Sequence, residues 1–189
     1  MCGIIGYVGN NNCVPYIIDG LKKLEYRGYD SAGLAVLQNG NLVTVRAVGK
    51  VAELEKATLI ANPKGTTGIG HTRWATHGKP SEENSHPHTD CTGDIVVVHN
   101  GIIENYLTLR AKLEARGHRF KSETDTEVIA HLIEENLLHV RASHDQDRLL
   151  KAVQKTNKEI SGAYAYGVMW ARTPGLLIGV KKQSPMVVG

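Results

Sequence analysis

Val14, Ile17, Ile18, Leu21 and Leu24 recur with the three- and four-residue spacing of one helical face. That spacing predicts a helix with Asn12 as its N-cap and Gly28 past its end. Ahead of it, Cys2–Val8 is short, small and apolar, and predicts a strand. Gly33–Leu37 and Leu42–Val48 flank Asn39-Gly40, the signature of a hairpin with a type I′ turn. Residues 51–60 predict a short helix, Thr67–Trp74 a strand, and Ala75 to about Thr92 a polar loop. Ile95–Val98 is apolar throughout and predicts a buried strand.

The second half is richer in helix. Tyr106, Leu109 and Leu113 share a face within Asn105–Arg116, and Gly117 ends that helix. Thr124-x-x-Glu127 and Ser143-x-x-Gln146 each match a capping box. They predict helices running to about Leu138 and about Glu159. Ala163–Trp170 and Leu176–Val180 form a last hairpin around Thr173-Pro174-Gly175. Strands arrive as hairpins and helices as a block, which favours α+β with antiparallel sheets over alternating βαβ units. Several strands are apolar on both faces, so each sheet is expected to be covered on both sides. Helices outside two packed sheets satisfy that condition.

Composition narrows the picture. Hydrophobic residues are 41% and charged residues 22% of 189, the ordinary globular balance, which excludes a disordered chain. One domain or a tight pair fits the length. Two Trp, seven Tyr and one Phe leave the core to aliphatic side chains. A net charge of +3 without any Lys/Arg run gives no footprint for nucleic acid. No stretch reaches 18 apolar residues, so no membrane span is expected, and the N-terminus lacks the basic segment of a secretory signal. Three cysteines at irregular spacing do not form a disulfide framework, which points to the reducing cytoplasm.

Four places carry candidate chemistry. Removal of Met1, favoured by a small second residue, leaves Cys2 with a thiol and a free α-amine on adjacent carbons. With an ordinary pKa of about 7.7–8.0, that amine can act as a base toward the thiol. Cys2 is also readable as a small buried hydrophobe. The segment His71-Thr72-Arg73-Trp74-Ala75-Thr76-His77-Gly78 suits recognition of a small polar ligand, because an Arg fork grips a carboxylate and an indole supplies an apolar wall. It is also readable as a surface loop with its Trp tucked into the core. His99-Asn100-Gly101 offers a side-chain amide and a backbone N–H for an oxyanion hole, or a plain Asn-Gly turn. Ser122-Glu123-Thr124-Asp125-Thr126-Glu127 places acids at a helix N-terminus, where the dipole favours them, and Asp125 there can hold a ligand ammonium.

A metal site competes for the histidines, five of which lie between positions 71 and 99. His86-Pro87-His88 followed by Cys91 offers two imidazoles and a thiol within six residues, but the spacing matches no usual zinc pattern, so no metal is expected. The glycines at 65, 68 and 70 form neither a dinucleotide fingerprint nor a phosphate loop.

Met1-Cys2-Gly3-Ile4, Leu24-Glu25-Tyr26-Arg27-Gly28-Tyr29-Asp30-Ser31-Ala32-Gly33, His71 to Gly78, His99-Asn100-Gly101 and Ser122 to Glu127 occur in this order. Together they resemble the class II glutamine amidotransferases, and among these the glutaminase domain of the glucosamine-6-phosphate synthase family (glutamine:fructose-6-phosphate transaminases, isomerizing). The resemblance covers essentially the whole chain, 1–189. The Tyr-Arg-Gly-Tyr-Asp-Ser-Ala-Gly string separates it from the amidophosphoribosyltransferases, which remain the alternative within the class. A non-catalytic metal-binding or regulatory module is the alternative outside it.

The resemblance implies an N-terminal-nucleophile hydrolase fold, a four-layer αββα sandwich with two antiparallel sheets. It implies hydrolysis of L-glutamine to glutamate and ammonia with no cofactor. Cys2 would be the nucleophile, and Asn100 and Gly101 the oxyanion hole. Arg73 would hold the glutamine α-carboxylate, and Asp125 with the Gly101 carbonyl its α-ammonium. Thr76 and His77 would line the pocket, Trp74 would help close it, and Arg27 would help hold the N-terminus. His86 and His99 lie in similar segments without an assigned role. Similar enzymes continue past about Ser184-Pro185 into sugar-isomerase domains that take fructose 6-phosphate, and they are homo-oligomeric.

Overall fold

The computed structural model describes residues 2–189; Met1, whose removal would free the Cys2 amine, lies outside them. The first sheet holds β1 (Gly3–Val8), β4 (Thr67–Arg73), β2 (Ser31–Gln38) and β3 (Asn41–Val48), in that order. The second holds β5 (His88–Thr89), β6 (Ile95–Gly101), β7 (Tyr164–Trp170) and β8 (Ile178–Lys182). Every strand pairing in both sheets is antiparallel. Helices α1 (Cys13–Leu24) and α2 (Val51–Ala61) belong to the first sheet. Helices α3 (Tyr106–Glu114), α4 (Glu127–His139) and α5 (Asp145–Glu159) belong to the second.

The two-faced apolar strands account for the layering. Alternate residues of a strand point to opposite faces. In β2, Leu34 and Val36 pack with Ile17 and Leu21 of α1, whereas Ala35 between them packs with Ile69, Val96, Val98 and Met169 in the middle of the molecule. In β6, Ile95 and Val97 pack with Ile129 and Ile133 of α4, while Val96 and Val98 face the first sheet. Three apolar seams therefore separate four layers, and the expected αββα sandwich is what forms. The middle seam is thin, and Ile69 is fully buried at its centre. Gly68 and Gly70 open the other face of β4 to α1. A Cβ on Gly70 would lie 2.4 Å from the Ile17 side chain, and one on Gly68 2.7 Å from Cys13 Sγ. Two glycines that fit no nucleotide motif thus let a helix close onto its sheet.

Several expectations need correction. The Thr124/Glu127 capping box does not form. The Thr124 hydroxyl meets Ser122 Oγ and His88 Nε2, each at 2.9 Å, and the Glu127 carboxylate accepts from Lys121 N and Ser122 N at 2.8 and 2.7 Å. Both side chains are committed elsewhere, and α4 starts only at Glu127. Helix α5 starts at Asp145 behind His144 with no side-chain cap; acids at 145 and 147 face its N-terminal dipole instead. Within the polar loop, His88-Thr89 forms a short edge strand. His99-Asn100-Gly101 is neither a loop nor a turn but the last three residues of β6, paired with Tyr166, Ala165 and Tyr164. Asn12 caps α1 as expected, accepting from Val14 N at 3.4 Å, and Asn39 and Gly40 take the positive φ of the type I′ turn, 51° and 79°.

Candidate active site

The neighbouring ends of β1, β4 and β6 bring the candidate residues together. Cys2 immediately precedes β1, Arg73 ends β4, Trp74 to His77 follow it, and Asn100 and Gly101 end β6. Cys2, Arg27, Arg73, Trp74, Thr76, His77, Asn100, Gly101 and Asp125 all line one cavity of about 1240 Å³.

The Cys2 thiol is anchored on the chain that leaves β4. Its Sγ accepts from Trp74 N at 3.1 Å and lies 3.7 Å from the Trp74 carbonyl oxygen. Burial pushes the thiol pKa up, and the Trp74 N–H draws it back only in part. The resting sulfur is therefore a protonated thiol that needs a base before it can attack. Trp74 itself is not tucked into the core. It is 54% exposed, with its ring against Gly28.

Asn100 is held from both ends. Its Nδ2 donates to the Cys2 carbonyl at 3.2 Å, and its Oδ1 faces His71 Nε2 at 2.8 Å. The Cys2 carbonyl can only accept, so the amide nitrogen must face it, and His71 must donate through Nε2. Burial holds the His71 pKa down at about 3, so the ring is neutral and carries that single proton. The second N–H of Asn100 remains for another acceptor. Gly101 has φ of 119°, and a Cβ there would lie 2.2 Å from the Ala163 carbonyl oxygen. Only glycine fits there, in the wall of the cavity that Cys2 also lines.

Across the cavity lie the groups suited to an amino acid's charged end. Arg73 is buried; its Nη2 donates to the His77 and Gly78 carbonyls, the latter at 2.9 Å. Its Nη1 is only 3.5 Å from Asp30 Oδ1. Asp30 also accepts from Ala75 N and donates its own N–H to the Arg73 carbonyl at 2.8 Å, so it holds the whole turn after β4. Asp125 is buried, with Oδ2 accepting from Ile103 N at 2.8 Å and Oδ1 3.9 Å from His77 Nδ1. His77 leans edge-on against Tyr106 and reaches Thr76 Oγ1 at 3.3 Å. His99 Nδ1 meets Thr126 Oγ1 at 2.9 Å, tying the end of β6 to the start of α4 beside Asp125. Arg27 is half-buried in the short helical turn after α1.

Two residues beneath the site escaped sequence reasoning. His71 was visible only as a member of its segment and Asp30 only as a member of the Tyr-Arg-Gly-Tyr-Asp string. Their roles depend on the register that sets Gly33 opposite His71 and Ser31 opposite Arg73. The ligand set of His86, His88 and Cys91, weighed and set aside on its spacing, does not assemble. His86 lies against His71, the rings tilted by 35° with centroids 4.1 Å apart, and sits edge-on to His88 in the interior, while Cys91 turns toward His118 and His131.

A cysteine next to the N-terminus, facing an amide-built cradle at the edge of an αββα sandwich, is the arrangement of an N-terminal-nucleophile amidotransferase. A family model described as a glutamine amidotransferase domain matches residues 71–182. The chain belongs to that family. It is 53% identical over its whole length to a glutamine–fructose-6-phosphate aminotransferase [isomerizing] of Aquifex aeolicus, covering 31% of that protein, and 54% identical to one of Gloeobacter violaceus, covering 30%. The chain thus spans about a third of the length of these relatives. Among solved structures, the glutamine phosphoribosylpyrophosphate amidotransferase of B. subtilis matches with a TM-score of 0.72 at 28% identity, over 90% of this chain and 35% of that one. Among the described residues, no helix is long and apolar enough to cross a membrane.

Proposed function

We propose that this chain hydrolyses L-glutamine to glutamate and ammonia through a thioester on Cys2. In this mechanism Met1 is removed, and the Cys2 α-amine takes the thiol proton. The sulfur attacks the side-chain carboxamide carbon, and the C–O π pair moves to oxygen. That oxyanion accepts from the second N–H of Asn100 and from the Gly101 N–H. One such donor is worth about 2.7–4 kcal/mol of transition-state stabilisation. The ammonium formed from the amine returns its proton to the leaving nitrogen, ammonia departs, and a γ-glutamyl thioester remains. Water, deprotonated by the same amine, then releases glutamate. Arg73 takes the substrate carboxylate and Asp125 its ammonium, with Thr76, His77 and Trp74 around them. Apart from glutamine and water, each step uses groups of the chain.

The observation that carries this reading is the convergence on one cavity of the Trp74-anchored thiol, the His71-oriented amide and an opposed Arg73/Asp125 pair. The identity to glutamine–fructose-6-phosphate aminotransferases, about twice that to the phosphoribosylpyrophosphate enzyme, favours a role as the ammonia-supplying unit for fructose 6-phosphate amination in amino-sugar synthesis. In that role the partners are sugar-isomerase domains, and three free thiols suit the cytoplasm. The test is steady-state assay of purified chain with L-glutamine. Equimolar glutamate and ammonia, absent with D-glutamine, are expected. Absence of glutamine-dependent ammonia from protein shown by intact mass to lack Met1 would overturn the reading.

A further inference from the structure

We infer that Cys91, His118, His131 and Glu134 form a structural site for a zinc-class transition-metal ion, separate from the glutamine cavity. Four ligand atoms from three distant stretches converge there: Cys91 from the turn between β5 and β6, His118 from the connection after α3, and His131 and Glu134 one turn apart on α4. All four lie within 4.8 Å of one another, and no other group of three or more such side chains converges in this way among the described residues. None of the four lines the cavity that holds Cys2.

Four of the six separations among these atoms lie close to the edges of a tetrahedral site. Zinc bonds of about 2.3 Å to sulfur and about 2.0–2.1 Å to nitrogen set a ligand separation of about 3.5–3.6 Å for S···N and about 3.4 Å for N···O. Cys91 Sγ lies 3.5 Å from His131 Nδ1 and 3.7 Å from His118 Nδ1. Glu134 Oε2 lies 3.3 Å from His131 Nδ1 and 3.0 Å from His118 Nδ1.

The outer partners argue more strongly. Each imidazole presents Nδ1 to the cluster and Nε2 to a further carboxylate: His118 to Glu135 Oε2 at 3.2 Å, His131 to Glu127 Oε1 at 3.4 Å. Each of the four ring nitrogens faces a carboxylate oxygen, and hydrogen bonds to all of these carboxylates would need a proton on all four. That is two imidazolium ions, packed with ring centroids 5.3 Å apart. A metal resolves the conflict. Each neutral ring donates Nε2–H to its carboxylate and gives its Nδ1 lone pair to the ion, the arrangement that usually orients histidine ligands. The Cys91 thiol proton is released to solvent on binding. One thiolate and one carboxylate then balance a divalent charge. A thiolate with two imidazoles selects zinc or its analogues over magnesium or calcium. His131 is buried while Cys91 is exposed, so the ion has a way in from solvent. With four protein ligands the site is closed, and its role is to staple α4 and the α3–α4 connection onto the edge of the second sheet.

The test is a titration of chelator-treated Cys2→Ala protein, a background in which no catalytic thiol competes for metal. One equivalent of Co²⁺ is expected to give tetrahedral visible bands and a thiolate-to-cobalt charge-transfer band, and Zn²⁺ is expected to displace it. The thermal midpoint should rise with zinc. Adding Cys91→Ser, an exposed change that leaves the fold intact, should abolish the charge-transfer band and the midpoint shift. Glu127→Gln should weaken zinc binding about 10–100-fold. Cobalt bound without a thiolate band, or zinc bound with equal stoichiometry and affinity after Cys91→Ser, would overturn the site. Neither outcome bears on glutamine hydrolysis, which runs on different residues.

Discussion

The orientation of one amide sets the chemistry next to Cys2. Asn100 presents nitrogen rather than oxygen to the Cys2 carbonyl, with neutral His71 donating to its Oδ1. Replacing Asn100 with Ala should lower kcat about 10²–10³-fold, with little change in KM. His71→Gln should lower kcat by a smaller factor in the same pattern, since it acts through Asn100; a KM effect without a kcat effect in steady-state assays would rule out the positioning role. Arg73→Lys should do the reverse and chiefly raise KM for glutamine, because an ammonium lacks the planar fork that grips a carboxylate. Unchanged KM would remove Arg73 from substrate binding. These side-chain types were legible in the sequence because the chemistry restricts them. Their supports were not: His71 acts between the two sheets and Asp30 on the turn after β4, through partners 29 and 43 to 45 positions away.

Strands and turns were legible where the local pattern alone decides. Asn39-Gly40 adopts the positive φ that its hairpin requires, and the apolar run at Ile95–Val98 became a strand buried on both faces. The pattern failed where distant partners decide. Residues 99 to 101 look like a turn but continue β6, because Tyr164 to Tyr166 offer them an antiparallel partner. Thr124 and Glu127 have the spacing of a cap, yet His88 and the Ser122 backbone claim them first. Tyr29 is the opposite case, a motif residue whose role is structural. Its hydroxyl accepts from Val51 N at 2.8 Å and caps α2. Close approach of α1 to β4 rests on Gly70. Gly70→Val would drive methyl groups into Ile17 and Leu21 and should cost about 1–3 kcal/mol, read as a lower denaturant midpoint. A midpoint equal to the parent would mean the helix does not sit that close.

The molecule also carries a pH dependence in its interior. Burial holds His71, His88 and His99 at about 3, 3 and 4, below the ordinary 6.5. Between those values the unfolded chain binds protons that the folded chain refuses, so stability falls as pH drops from about 7 toward 4. Each group contributes at most about 1.4 kcal/mol per pH unit. In the metal-free chain, where no ion occupies its Nδ1, His131 opposes them. Burial lowers its pKa, but hydrogen bonds to Glu127 and Glu134 outweigh this and raise it, so its contribution is lost as pH rises. The buried neutral rings outnumber it, and the thermal midpoint should fall steadily from pH 7 to pH 5. A flat or rising midpoint over that range would show that these imidazoles are not buried neutral.

The proposed hydrolysis of glutamine converges on a covalent bond at one sulfur. Rapid-quench intact-mass analysis of Met1-free chain mixed with L-glutamine can detect that bond. The account predicts a transient γ-glutamyl adduct that maps to Cys2, decays as glutamate appears, and is absent together with ammonia release in Cys2→Ala. Undiminished ammonia release from Cys2→Ala, or an adduct that maps to Cys13 or Cys91, would contradict it.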